Sequence, residues 1–177
     1  MTANHSRLLA LLAAIFVAAA LRLVPHPPNF TPIGAMALFS GAYLGRRSLA
    51  LVVPFAAMLL SDAILGFYSG MWVTYLAVAL IFLVGRVALP RVSVSRVAGT
   101  AVASSVLFFL VTNFGVWALS GMYPHTTAGL AACFVAAVPF FQNTLAGDLF
   151  YATLLFGGFR VAELLLPRLE GQGAQPA

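Results

Sequence analysis

Apolar runs alternate with short polar segments along nearly the whole chain. They lie at about 8–24, 32–44, 48–67, 71–89, 97–119 and 128–166. Most approach the ~20 residues that carry an α-helix across a ~30 Å hydrocarbon core. The pattern therefore predicts an all-α integral membrane protein, a bundle of six transmembrane helices. The second run is short for a crossing and either dips or borrows from the loop before it. The third contains Pro54, which predicts a kink. The last is too long for one crossing, and Pro139 divides it. We expect a short or partly inserted helix over about 128–138, then the last span from about 139 to 164. Residues 1–168 form one membrane domain, and the polar segment 169–177 is expected to be a disordered cytoplasmic tail.

Arginine sets the direction. Arg7 precedes the first run, Arg46 and Arg47 separate the second from the third, Arg86, Arg91 and Arg96 lie between the fourth and fifth, and Arg160 and Arg168 close the sixth. Only Arg22 falls on the other side. Short cytoplasmic loops retain basic residues. Both termini are therefore expected in the cytoplasm, with the protein spanning a bacterial inner membrane several times. The start also has the outline of a signal peptide ending in Ala18-Ala19-Ala20. Cleavage there is the weaker alternative, because Arg22 follows at once.

Composition agrees with lipid as the solvent. The chain of 177 residues is 62% hydrophobic and 7% charged, against about 25% charged in soluble domains. Its net charge of +5 is spread over loops, so no nucleic-acid partner is expected. The single cysteine, Cys133, sits in an apolar run and reads as a small buried residue. Three scattered histidines form no metal set, and no metal or cofactor is expected. The serines lack the glycine pattern of an intramembrane protease, and HExxH and phosphate-loop motifs are missing. We expect no enzyme activity, and any ATP-driven work would need separate ATPases.

Polar residues inside spans are costly and therefore informative. Asp62 lies near the outer end of the third run and Asp148 near mid-membrane in the last, with Arg22 as the natural partner for either. Asn113, Asn143, Trp72 and Trp117 lie at outer heights, and Asn29 is in the Pro25–Pro32 loop. Together they predict a ligand-binding site in the outer half, with Asp62, Asn113, Asn143 and Asp148 holding polar groups. Trp72 and Trp117 would cover its flat part, and the loop would act as a lid. The bland alternatives are an Arg22–Asp62 clamp, asparagines joining helices, and tryptophans in an interface belt.

The stretch Pro25-His26-Pro27-Pro28-Asn29-Phe30-Thr31-Pro32-Ile33-Gly34-Ala35-Met36-Ala37-Leu38-Phe39, followed by Leu60-Ser61-Asp62 and Met71-Trp72-Val73-Thr74-Tyr75, resembles a bacterial multi-span membrane family of unknown function. More loosely, residues 143–155 and the layout are similar to the S components of energy-coupling factor (ECF) transporters. That resemblance implies a six-span subunit capturing a small organic solute from outside for import. It implies a loop-gated pocket, and docking of Ala10, Ala14 and Ala18 to a separate transmembrane coupling protein with its ATPases. The alternatives are an assembly subunit without a small ligand and a solo secondary carrier. A cysteine placed in the 25–32 loop should react with a membrane-impermeant maleimide added outside intact cells; protection there, with reaction in the 90–96 loop, would reverse the topology.

Overall fold

The computed structural model describes residues 3–45 and 50–165. Arg46, Arg47 and Arg168 of the charge pattern, and the 169–177 tail, lie outside the described residues. Among the described residues the protein is all-helical. Its helices are α1 (Ala3–Leu21), α2 (Ile33–Leu44), α3 (Val52–Leu65), α4 (Met71–Ala88), α5 (Val94–Leu119) and α6 (Thr127–Ala152). A π-turn, Thr153–Gly157, runs on into α7 (Gly158–Leu165).

Two proline expectations are corrected. Pro139 lies inside α6 and does not end it. The expected short helix and the last span are one continuous rod, Thr127–Leu165, of 39 residues and about 58 Å. A proline removes one amide donor, and neighbours in a bundle can satisfy the freed carbonyl. Pro54 falls in the first turn of α3, which begins at Val52. An amide there has no intrahelical partner to lose, so the expected kink has no cause.

Three helices are long and apolar enough to cross a membrane: Met71–Ala88, Val94–Leu119 and the Thr127–Leu165 rod. The apolar helices His5–Leu21, Ile33–Leu44 and Val52–Leu65 are shorter. Length alone thus supports three crossings, not the six expected.

Helix α2 is the hub. It packs against α1, α3, α4, α5 and α6, and its residues from Ile33 to Gly41 are all buried. Its sequence explains this. Ile33-Gly-Ala-Met-Ala-Leu-Phe-Ser-Gly-Ala-Tyr-Leu44 has no polar face to offer water. Ser40, its buried hydroxyl, donates to the Ala50 carbonyl at 3.1 Å. The closest packing is with α4. A Cβ on Gly41 would stand 2.1 Å from the Phe82 carbonyl oxygen, and one on Gly85 2.3 Å from that of Leu38. The two helices meet backbone to backbone, which the small-residue spacing Ala37, Gly41, Gly45 anticipates.

Charge is segregated between the two ends of the bundle. Arg7 pairs with Glu163 at 2.8 Å, and Arg160 approaches the same carboxylate at 3.5 Å. The Arg7 guanidinium lies over the rings of Tyr43 and Phe159, and Arg86 lies beside Gly45. The start of α1, the C-terminal end of α2 and the end of α7 therefore share one end. At the other, Arg22 follows α1.

Ala10, Ala14 and Ala18 turn inward. Ala18 is buried and the other two pack against the core. Ala10 and Ala14 are only half-buried there, and the small side chains let α1 approach its neighbours.

Gly41→Val and Gly85→Val should each destabilise the protein by about 2–3 kcal/mol or more, since backbone atoms cannot yield to a new side chain. Gly99→Ala, where a Cβ meets open space, should be nearly neutral. Unfolding in graded denaturing detergent measures all three.

Candidate functional site

Helices α5 and α6 run antiparallel, and their register places the site. Cys133 Sγ lies 3.4 Å from the Asn113 carbonyl, the rings of Phe109 and Phe141 are 5.0 Å apart, and Ser105 meets Asp148. Ser105 is eleven residues from Val94 and fourteen from Leu119, about 16 Å and 21 Å along the helix. Asp148 therefore lies near the middle of the bundle.

The segment before α2 descends to the same depth. Asn143 Nδ2 donates to the Pro28 carbonyl at 2.9 Å. A Cβ on Gly147 would touch Phe30 and Thr31 at 3.2 Å, and one on Gly34 would strike the Asp148 carboxyl. The Phe30 ring packs on Phe150 and Tyr151. Asn29 adopts a left-handed backbone, φ 64°, which asparagine tolerates better than most residues. The Pro-rich stretch thus enters the bundle as non-helical chain, with a turn that the Phe30 N–H closes on the Pro27 carbonyl at 3.0 Å. Helix α2 begins only at mid-depth, and its 12 residues cover about 18 Å.

Asp148 closes that junction. It is 3% exposed. Its Oδ2 accepts from Ser105 Oγ at 2.7 Å, and the backbone N–H of Ala35, in the first turn of α2, donates to its carboxylate. Pro32 at the N-cap provides no side-chain bond. A carboxylate from α6 therefore serves the exposed amides and the positive end of α2. The ion pairs among the described residues leave Asp148 out.

Above it lies a cavity of about 350 Å³. Asp148 and Gly34 form its floor. Its walls are Phe108, Phe109, Thr112 and Asn113 from α5, and Ala137, Phe140, Phe141 and Thr144 from α6. Asn29 and Thr31, Tyr68 and Thr74, Ile33 and Val116 complete it. Tyr68 donates to Thr74 Oγ1 at 2.9 Å. Asn29 and Tyr68 are exposed and lie at the Arg22 end.

Of the residues singled out from the sequence, the cavity brings together Asn29, Asn113 and Asp148. Four stand elsewhere. Asp62, 1% exposed, accepts from Arg22 Nη2 at 2.6 Å and from Tyr75 Oη at 2.8 Å. Arg22 also donates to Ser61 Oγ. This is a clamp between α1, α3 and α4, and it turns Asp62 away from the cavity. Asn143 tethers the Pro-rich segment. Trp117 Nε1 donates to the Pro124 carbonyl at 3.1 Å, with His125 edge-on to its ring. Trp72 is 60% exposed and lines a separate apolar groove with Leu76, Leu110 and Phe114. Sequence reasoning missed Ser105, Thr112, Thr74 and the four wall phenylalanines. Ser105 carried a signal, as a hydroxyl at the centre of an apolar run; the phenylalanines looked like any lipid-facing residue.

A polar cavity among membrane-length apolar helices defines an all-helical protein suited to association with a membrane. The chain belongs to DUF6580, a family of unknown function, whose model matches residues 2–169. No curated protein and no solved structure matches it.

Asp62→Ala should cost about 3–5 kcal/mol, because it leaves Arg22 buried and unpaired. The double variant Arg22→Met/Asp62→Leu should regain most of that loss in the same detergent-unfolding assay. If the double variant is no more stable than Asp62→Ala, the pair is not the clamp described.

Proposed function

We propose that this protein is a membrane-embedded receptor that captures a small organic solute from the outer side of a bacterial inner membrane. The observation that carries the reading is the cavity of about 350 Å³ at the Arg22 end, floored by Asp148. Its size lies within the ~300–1,000 Å³ usual for ligand pockets, and its apolar walls with a few converging polar groups are the usual composition. In this reading the chain crosses the membrane six times, with α2 and the non-helical segment before it together making one crossing. Both termini are cytoplasmic, as the arginine-rich end suggests. Non-helical backbone at membrane depth is tolerated where it is buried in protein or lines a cavity.

The solute enters past Asn29 and Tyr68 and is held by Asn113, Thr144 and Asp148. The Pro-rich segment, pinned by Asn143, is the lid. Import then needs a separate transmembrane coupling protein with ATPases, as for the S components of energy-coupling factor transporters. A partner would dock through α1, where Ala10 and Ala14 are only half-buried beside the buried Ala18. The alternative of an assembly subunit without a small ligand draws on Asp62, Asn143 and Trp117, which all tie elements of this chain together.

Purification from the native host in mild detergent, followed by mass spectrometry of co-purifying small molecules, tests the reading. Thr112→Trp fills the cavity without touching Asp148 or the Arg22 clamp. A stoichiometric metabolite in the wild type, lost in a folded Thr112→Trp protein, is the expected result. A metabolite retained at full occupancy in Thr112→Trp would move the site elsewhere, and none in a folded wild type would favour the assembly role.

A further inference from the structure

We infer that the cavity is built for an organic cation, a small protonated amine with an apolar body. This rests on the cavity being a ligand site, and it names the class of ligand from the hydrogen-bond inventory of the walls.

On α5 and α6 that inventory is one-sided, while Asn29, Thr31 and Thr74 keep donors of their own. Thr112 Oγ1 donates to the Phe108 carbonyl at 2.7 Å, Thr144 Oγ1 to the Phe140 carbonyl at 3.1 Å, and Asn113 Nδ2 to the Phe109 carbonyl at 2.7 Å. Each of these side chains directs a donor back into its own helix. What they retain for a ligand is mainly acceptor capacity: hydroxyl lone pairs and the Asn113 carbonyl oxygen. Thr144 stands one turn from Asp148 on the same face of α6. Asp148, when ionised, accepts only, and its two oxygens offer about four lone-pair sites. Ser105 and the Ala35 amide use two. A guest held between α5 and α6 beside Asp148 is therefore met mostly by acceptors, and an ammonium brings up to three donors with no acceptor.

Charge points the same way. No residue lining the cavity is basic. A carboxylate or phosphate ligand would meet Asp148 without compensation, and like charges brought together cost several kcal/mol in an interface. A buried carboxylate without a cationic partner is itself costly in a membrane, and an incoming ammonium would supply that partner. The rest of the wall suits the rest of such a ligand. Phe108, Phe109, Phe140 and Phe141 surround the space, and aromatic faces attract cations within ~6 Å of the ring centre.

Three probes of one skeleton separate the possibilities: phenethylamine, phenethyl alcohol and phenylacetate, which are cationic, neutral and anionic at neutral pH. Binding is read on the full chain in detergent, as probe-dependent thermal stabilisation and by equilibrium dialysis. The amine should bind about tenfold or more tighter than the alcohol, the ratio expected for one charge-assisted hydrogen bond, and phenylacetate should bind weakest. Thr112→Trp should abolish binding of all three. Asp148→Asn, which keeps one acceptor oxygen for the Ala35 amide and offers an N–H to the Ser105 hydroxyl, should bring the amine down to the level of the alcohol. If Asp148→Asn fails to fold, Thr144→Val reports instead, since it leaves α2 untouched; it should weaken the amine severalfold and the alcohol less, narrowing the ratio between them. Alcohol or phenylacetate binding as tightly as the amine, and blocked by Thr112→Trp, overturns the cation inference and leaves the cavity reading standing. Failure of all three probes to bind the folded protein overturns both.

Discussion

Helix α2 starts halfway along the bundle, with its first residues buried. An α-helix leaves its first four N–H groups without intrahelical partners, and a buried polar group without a partner costs roughly 2–7 kcal/mol. The cap residue here is Pro32, which offers no side-chain bond. The missing acceptor comes from α6, as the Asp148 carboxylate held by Ser105 and the Ala35 amide. That requirement brings α5, α6 and the first turn of α2 to one point. It also explains Gly34: a side chain there would occupy the carboxyl group's position.

From this junction the rest follows at each end. Towards the arginine-rich end, α2 can be short because other helices enclose it on every side, and the Gly41–Gly85 crossing brings it against α4 with no side chain between. Towards the Arg22 end, the chain before α2 is not helical, since Pro25, Pro27, Pro28 and Pro32 cannot form helix interior. Irregular chain fills less of the space between α4, α5 and α6 than a helix would, and the cavity is what remains above Asp148. The short helix and the cavity are thus two consequences of one break in the second apolar run.

The two buried aspartates show how surroundings set a role. Asp62 and Asp148 are both nearly inaccessible. Asp62 meets a guanidinium, a phenol and the end of α1, and its charge is answered within the protein. Asp148 meets a hydroxyl and a backbone amide, and faces a cavity without a basic residue. The first joins helices. The second can still accept a donor from a guest.

The sequence alone determined what depends on local composition. Apolar runs of helical length dictated apolar helices, three of them long enough to cross a membrane. The arginine spacing anticipated a bundle with one arginine-rich end, and the Ala37–Gly41–Gly45 spacing anticipated close helix contact. It also marked Asp148 as deeply placed and Arg22 as the partner for an aspartate, because a lone charge in an apolar run needs an answer. What it left open depended on pairing between distant segments. Pro139 and Pro54 are read as breaks from local rules, yet one is tolerated within a rod and the other lies harmlessly in a first turn. Whether Asn29, Asn113 and Asp148 converge while Asp62, Trp72, Trp117 and Asn143 stand apart depends on which faces meet. Only the register of α5 on α6, and the depth at which α2 begins, decided that, since contacts between residues 20 to 115 positions apart leave no periodic trace in a single chain.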